Sequence, residues 1–212
     1  MFAINHAATA LIIKNEFAAV PIIWLLISVQ FMEIGWVVLN FLGIEKTTTE
    51  KEVRYVGDVH LSYMPFSHSV LTIVGVALLA WFITSKGLSQ PDIGIAVATG
   101  VVSHLILDVI THSNDIVIVP FLKGSKLGLG LYAKYPMVAF ILEIGYGLAC
   151  WWIYKGGWAL LTTIVAFNLA NISMFSRAVT GIEKQMANRP LLIATVILAQ
   201  ILVTLTLVGI FS

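Results

Sequence analysis

The chain has 212 residues, of which 59% are hydrophobic and 11% are charged, with a mean hydropathy of +0.96. A soluble domain carries about 25% charged residues, so this composition excludes a water-soluble globular protein. The net charge of +1 gives no electrostatic reason to expect nucleic-acid binding. The one cysteine cannot form a disulfide within the chain, and the N-terminal segment lacks the basic start of a cleavable signal peptide.

The first apolar segment, Phe2–Ile13, is too short to cross a membrane. At about 1.5 Å per helical residue it reaches only part of the way through a hydrocarbon core of about 30 Å. The sequence therefore predicts a half-helix here, either re-entrant or interfacial. We expect it to turn at residues 14–16, which are polar or charged.

Six later segments are long and apolar enough to span the bilayer, which takes about 20 residues. Pro91, Pro136 and Pro190 stand at the front of three of them, a position where a missing backbone N–H costs little. The sequence thus predicts an all-α fold, a polytopic membrane helix bundle of about six transmembrane helices plus the half-helix, forming one integral membrane domain over residues 1–212. The six segments are Phe17–Leu42, Phe66–Thr84, Ile93–Thr111, Met137–Tyr154, Trp158–Phe175 and Leu191–Phe211.

The basic residues of the loops predict an orientation, because lysine and arginine are enriched on the cytoplasmic side. Nine lie in the loops after the first, third and fifth spans, and three lie on the opposite side. We therefore expect the long loops 45–65 and 113–135 in the cytoplasm and the C-terminus outside. The nine residues are Lys46, Lys51, Arg54, Lys123, Lys126, Lys134, Arg177, Lys184 and Arg189.

The third span carries a stripe of titratable residues. His104, Asp108 and His112 are spaced i, i+4 and i+8, and Asp115 follows three residues later. Helical spacing of three or four stacks side chains on one face. An imidazole and a carboxylate four residues apart can bind one divalent cation. The stripe therefore predicts metal ligands near the cytoplasmic end of this span.

Other segments bring polar groups to the same depth of the same leaflet. Ionisable residues there cost about 2.5–3.5 kcal/mol each on insertion scales and commonly mark a functional site. A purely structural interpretation remains open for each: a hydrogen-bonded packing residue, a bond to a neighbouring helix, or a solvated loop. The residues are His6, Glu33, Asp58, His60, His68 and Glu143.

Two motifs resemble a known family. Ser67-His68-Ser69 and the stretch 103–112, Ser-His-Leu-Ile-Leu-Asp-Val-Ile-Thr-His, are similar to motifs of the YdjM-like membrane-bound metal-dependent hydrolases and of related uncharacterised small bacterial membrane proteins. His6 and Glu33 match the early histidine and the acidic residue of that group. The resemblance covers residues 1–145, whereas residues 146–212 match only as generic membrane helices. The group's Asp-x-Asp-His-Arg pattern is reduced here to Asp58-Val-His60.

The resemblance implies a bacterial inner-membrane protein with a divalent metal ion, and the residue types fit Zn, Mn or Fe. The chemistry that we expect is metal-assisted hydrolysis of a phosphoester or lipid-like substrate, with Asp58, Asp115 or Glu143 as general base or as groups that orient the histidines. The expected partners are membrane lipids, a small-molecule or lipid substrate, and further copies or subunits of an assembly. Two alternatives stay open: a metal-ion or proton transporter, and a non-catalytic assembly subunit. The expected metal ligands are His6, Glu33, His60, His68, His104, Asp108 and His112.

Overall fold

A computed structural model describes residues 1–122 and 124–212, with residue 184 described by its backbone alone. Lys123 and the side chain of Lys184, two of the nine basic groups counted above, therefore lie outside the described residues. The described helices are α1 Ala3–Glu16, α2 Ile22–Phe41, α3 Val70–Phe82, α4 Pro91–Thr111, α5 Leu131–Lys134, α6 Pro136–Tyr154, α7 Trp158–Ala170 and α8 Pro190–Phe211. The described strands are β1 Lys46–Thr49, β2 Val59–Tyr63, β3 Ile116–Val117 and β4 Lys126–Leu127.

The predicted fold class, an all-α membrane helix bundle, is confirmed. Within the described residues, five helical stretches are long and apolar enough to cross a membrane: α2, α3 with its π-helical extension to Gly87, α4, α6 and α8. Their outer faces expose large apolar side chains such as Leu78, Ile141 and Leu202, each more than half exposed. Such faces suit a lipid environment, in which apolar exposure costs nothing.

The segment expected as Trp158–Phe175 is shorter than predicted. Helix α7 has 13 residues, or about 20 Å at the helical rise, and a 3₁₀ turn over Ile172–Met174 follows it. The helix ends at Ala170, and the side chain of the next residue, Asn171, donates to the Phe167 carbonyl and accepts from Gln200 Nε2 on α8. These side-chain bonds replace the helical continuation.

Helix α1 lies inside the bundle, with ten of its residues buried. It packs against α2, α4, α6, α7 and α8, a placement that favours the re-entrant alternative over the interfacial one. The helix runs on through residues 14–16, where a turn was expected, and the chain reverses at residues 17–21. The reason is that Lys14 Nζ donates to the carbonyls of Ala18 and Val20 and so closes the later turn.

A close approach of α2 and α4 sets the depth of the polar residues. A Cβ at Gly100 would overlap Ser28 Oγ and lie 2.9 Å from Ser28 Cβ, so only glycine allows the two helices this spacing. Small residues commonly permit such contacts between membrane helices. One turn further along α4, His104 reaches the carbonyl of Val29, the residue that follows Ser28 on α2. The close approach therefore brings the stripe of α4 against the face of α2 that carries Glu33.

Two short hairpins flank the same end of the bundle. Strands β1 and β2 pair antiparallel, with Thr49 opposite Val59. Strands β3 and β4 form the second pair, and the β3 segment bonds to the start of α3 through the Ser69–Val117 bridge. This bridge holds the segment 67–69 against the bundle.

Candidate metal centre

Four side chains converge where α2, α4 and the segment before α3 meet. One atom from each, Glu33 Oε2, His68 Nε2, His104 Nε2 and Asp108 Oδ2, lies within 4.8 Å of all the others. The two histidines and the aspartate are at most 2% exposed, whereas Glu33 is partly exposed. Two nitrogens and two carboxylate oxygens are a donor set that suits Zn, Mn or Fe.

The spacing of these atoms fits ligands around an ion better than direct hydrogen bonds. His68 Nε2 lies 3.4 Å from Asp108 Oδ2, and Glu33 Oε2 lies 3.6 Å from both histidine nitrogens. Hydrogen bonds to nitrogen span 2.7–3.2 Å. A tetrahedral ion with bonds of about 2.1 Å separates its ligands by about 3.4 Å. Only the distance from His104 Nε2 to Asp108 Oδ2, 2.9 Å, falls in the hydrogen-bond range, and these two atoms still do not form a hydrogen bond.

The facing atoms also lack hydrogen bonds of their own. Among the described residues, His68 Nε2, His104 Nε2 and Asp108 Oδ2 are buried side-chain atoms without a hydrogen-bond partner. Leaving a buried polar atom unpaired costs about 1–3 kcal/mol, and more if the group is charged. A cation between them would remove that cost for all three atoms.

A backbone carbonyl of α2 determines the tautomer of His104. Its Nδ1 lies 3.2 Å from the Val29 carbonyl oxygen, which can only accept a proton. Nδ1 therefore carries the hydrogen, and the Nε2 lone pair points at the cluster. Ligating histidines usually donate their other N–H in this way.

The tautomer of His68 is set by a buried serine and a buried glutamate. Ser67 Oγ donates to Glu45 Oε2 at 2.5 Å, and Glu45 Oε1 accepts the backbone N–H groups of Phe66 and Ser67 at 2.9 Å. Because the Ser67 proton is directed to Glu45, its oxygen accepts from His68 Nδ1, 2.8 Å away. His68 Nε2 is then free to bind a cation.

Sequence reasoning did not identify Glu45 or Ser67 as site residues. Glu45 directly follows the first span, and Ser67 belongs to the Ser-His-Ser motif. Both are buried, at 1% exposure each. The one available signal was the serine beside His68, because nothing local indicates that a loop glutamate 22 residues earlier returns to it.

We expect Glu45→Gln to weaken cation binding 10- to 100-fold, the usual effect of losing a partner that orients a ligating histidine. The amide can donate to Ser67, which would turn the serine proton towards His68 and disfavour the required tautomer. Competition with a chelating indicator on the detergent-purified protein measures the dissociation constant. Glu50→Gln is the matched control, because Glu50 is exposed and its side chain pairs with the exposed His60. Equal dissociation constants for the two variants would contradict this role for Glu45.

His6 and His112 approach the other oxygen of Asp108. His6 Nε2 lies 3.3 Å and His112 Nε2 lies 3.7 Å from Asp108 Oδ1. The ring of His6 stacks on His104 with a centroid separation of 4.2 Å. The amino group of Met1 donates to the same oxygen at 2.7 Å. Asp108 therefore has one oxygen in the four-residue cluster and the other among these groups.

Asp115 lies beside His112 at the end of α4. Its Oδ1 is 3.8 Å from His112 Nδ1, and both side chains are 17% exposed. The imidazole of His112 is thus placed between two carboxylates, Asp115 on one ring nitrogen and Asp108 on the other. This arrangement suits a group that accepts and passes on a proton.

Glu143 is buried but does not belong to the four converging donors. It accepts hydrogen bonds from the Tyr132 hydroxyl and from Asn5 Nδ2, and its two oxygens each lie 3.3 Å from the Phe2 backbone N–H that donates to them. Burial raises the pKa of the Tyr132 phenol well above its ordinary value, and the neighbouring Glu143 raises it further. Tyr132 therefore stays protonated as a donor. Glu143 holds α1 and α5 in place, and its oxygens are occupied.

The structure does not bring His60 and Asp58 to the cluster. His60 is exposed on β2 and pairs with Glu50 at 3.0 Å. Asp58 accepts the Arg54 backbone N–H at 2.8 Å. Successive side chains of a strand point to opposite faces. Val59 and Leu61 face a cavity beside the cluster, so His60 between them points away from it.

This cavity gives access to the cluster. Its empty volume is about 830 Å³, including the part open to the surroundings. The polar part of its wall includes Glu33, His68, His112 and Asp115. The apolar part of its wall includes Trp36, Val56, Val59, Leu61, Ile193 and Ile197.

Comparison with known proteins gives one finding. A family model described as YdjM inner membrane protein matches residues 18–180, which include Glu33, His68, His104, Asp108 and His112. No curated protein and no solved structure matches the chain.

Proposed function

The chain belongs to the YdjM inner membrane protein family, and we propose that it is a metal-dependent hydrolase that works within that membrane. Its centre consists of Glu33, His68, His104 and Asp108. The observation that carries the proposal is the convergence of four donor atoms at distances that suit an ion, three of them buried without hydrogen bonds. A site on the cavity wall, and not sealed inside the bundle, supports chemistry rather than a purely structural ion.

The residues around the cluster have separate roles in this proposal. A divalent cation held there would act as a Lewis acid, polarising a phosphoester or ester oxygen and making water easier to deprotonate. His112, on the cavity wall, accepts the proton from the attacking water. Asp115 orients the His112 ring and stabilises its protonated form. Glu45 and Ser67 hold His68, and the Val29 carbonyl holds His104.

The substrate that we propose is a phosphoester or lipid-like molecule at the cytoplasmic leaflet. The excess of basic residues on the loops at this end supports that orientation. The cavity combines titratable groups with an apolar wall, which suits a molecule with both polar and apolar parts.

Hydrolysis is tested on protein that has been stripped with a chelator and reloaded with Zn, Mn or Fe. The assays are release of nitrophenol from bis(p-nitrophenyl) phosphate and cleavage of a fluorogenic phospholipid. We expect turnover that depends on the added ion, disappears with chelator and is absent in Asp108→Asn. A full complement of bound metal without turnover in either assay would overturn the hydrolase and favour the transporter or the assembly subunit. Metal uptake into proteoliposomes then separates these two.

A further inference from the structure

A second cavity adjoins the one beside the metal centre. The second has an empty volume of about 650 Å³ and is lined by parts of α8 and of residues 170–186. The two cavities share six lining residues, so they lie side by side, and we call them the first and the second lobe. The shared residues are Phe2, Val56, Val59, Ile193, Ile197 and Gln200.

We propose that the second lobe holds the hydrocarbon chain of a lipid substrate whose phosphoester head lies at the metal centre. This inference rests on the proposed function and adds where the chain lies and which residues accommodate it. The first lobe is defined by the shared residues together with Glu33, His68 and His112. The second is defined by the shared residues together with Met174, Met186 and Val196.

The polar groups of the second lobe are already paired with one another. Ser173 Oγ donates to Glu183 Oε2 at 2.9 Å, and the Gly181 N–H donates to Glu183 Oε1 at 2.6 Å. Asn171 Oδ1 accepts from Gln200 Nε2 at 2.9 Å. What remains for a ligand is an apolar surface, formed by side chains such as Ile182, Met186 and Val196.

This pairing decides which part of a substrate fits in which lobe. A sugar or a second charged group in the far lobe would lose its water without gaining partners, which costs several kcal/mol in an apolar site. A hydrocarbon chain that moves there from the bilayer leaves one apolar environment for another, so the transfer has no desolvation cost. The metal centre borders the first lobe, through Glu33 and His68, and would accept oxygen ligands there. The polar head of the lipid is therefore expected at the metal centre, and its hydrocarbon chain in the second lobe.

The test is photo-crosslinking with a phosphatidic acid that carries a diazirine in its acyl chain, added to detergent-purified protein and mapped by mass spectrometry. We expect crosslinks within residues 170–200. Unlabelled phosphatidic acid should displace the probe, whereas glycerol 3-phosphate, which has the same head without chains, should not displace it at equal concentration.

Two substitutions test the lobe, and a third is their control. Ile197→Trp places a larger side chain on the wall that both lobes share, and Val196→Phe narrows only the second lobe. Each should lower crosslinking within residues 170–200 at least fivefold while the metal content stays that of the wild type. Val203→Trp is the matched control, because Val203 lies on the same helix and is 47% exposed. It should crosslink like the wild type.

Two results would overturn the inference: equal labelling of Val196→Phe and Val203→Trp, or displacement of the probe by glycerol 3-phosphate as effectively as by the lipid. Crosslinking is read without turnover, so it fails independently of the proposed function. Labelling of the lobe without hydrolysis leaves the chain-binding lobe and removes the hydrolase. Metal-dependent cleavage of bis(p-nitrophenyl) phosphate without labelling of the lobe supports the hydrolase and rules out the chain-binding lobe.

Discussion

His104→Ala and Asp108→Ala are each expected to remove the bound metal almost completely. Each residue supplies one of four converging donors, and both are buried. Three remaining donors, one of them the partly exposed Glu33, would have to hold the ion. The loss should exceed the 10- to 100-fold effect of removing a group that only orients a ligand. Elemental mass spectrometry of protein purified without chelator, before and after added Zn, Mn or Fe, gives the metal content per chain.

His60→Ala is the matched control for this measurement. It makes the same change of side chain at a residue that is also a histidine on the same end of the molecule, but one that is exposed and pairs with Glu50. It should keep its metal. Loss of metal from all three variants would point to non-specific binding by histidine. Absence of metal from the wild type after loading would refute both the centre and the hydrolase.

The contrast between His104 and His60 shows where sequence reasoning succeeds. In a long apolar helix the period of 3.6 residues fixes which side chains share a face, so the spacing of His104, Asp108 and His112 was sufficient to place them together. A hairpin in a loop has no such reference. Whether His60 points in or out depends on the register of β2, in which Val59 and Leu61 face the cavity.

Contacts between distant segments could not be predicted in this way. Glu45 becomes part of the centre only because residues 64–67 return to the end of α2. The burial of α1 likewise depends on five other helices packing around it. Its sequence, apolar with Asn5 and His6, is equally compatible with the membrane surface. Depth arguments did place Glu33 and His68 correctly beside α4, because both residues lie in spans or at their ends.

The length of α7 illustrates a different limit. Hydropathy extends to Phe175 and gave no reason to end a helix at residue 170. Asn171 accepts a hydrogen bond from Gln200 of α8. What hydropathy does not reveal is that this bond accompanies the end of the helix. The break opens the space between α7 and α8 in which Asn171, Met174 and Val196 line the second lobe.

His112→Ala and Asp115→Asn are expected to separate catalysis from metal binding. Neither side chain belongs to the four converging donors, and both line the cavity. Loss of a general base typically lowers the rate 10²- to 10⁴-fold. We expect His112→Ala to lower kcat within that range and Asp115→Asn to lower it less, with a metal content near one ion per chain in both. Ser113→Ala, between them on the same cavity wall, is the control and should keep its activity.

The outcome of this pair decides how Asp108 is used. If His112→Ala keeps its metal and loses turnover, Asp108 Oδ2 is the oxygen that binds the ion. Asp108 Oδ1 then interacts with His112, which transfers the proton. If His112→Ala loses metal as His104→Ala does, the role as general base is wrong and His112 is a ligand, as the spacing along α4 first indicated. Asp108 would then bridge two groups of ligands through its two oxygens. The approach of His6 and His112 to Oδ1, at 3.3 and 3.7 Å, is the geometry on which that alternative depends.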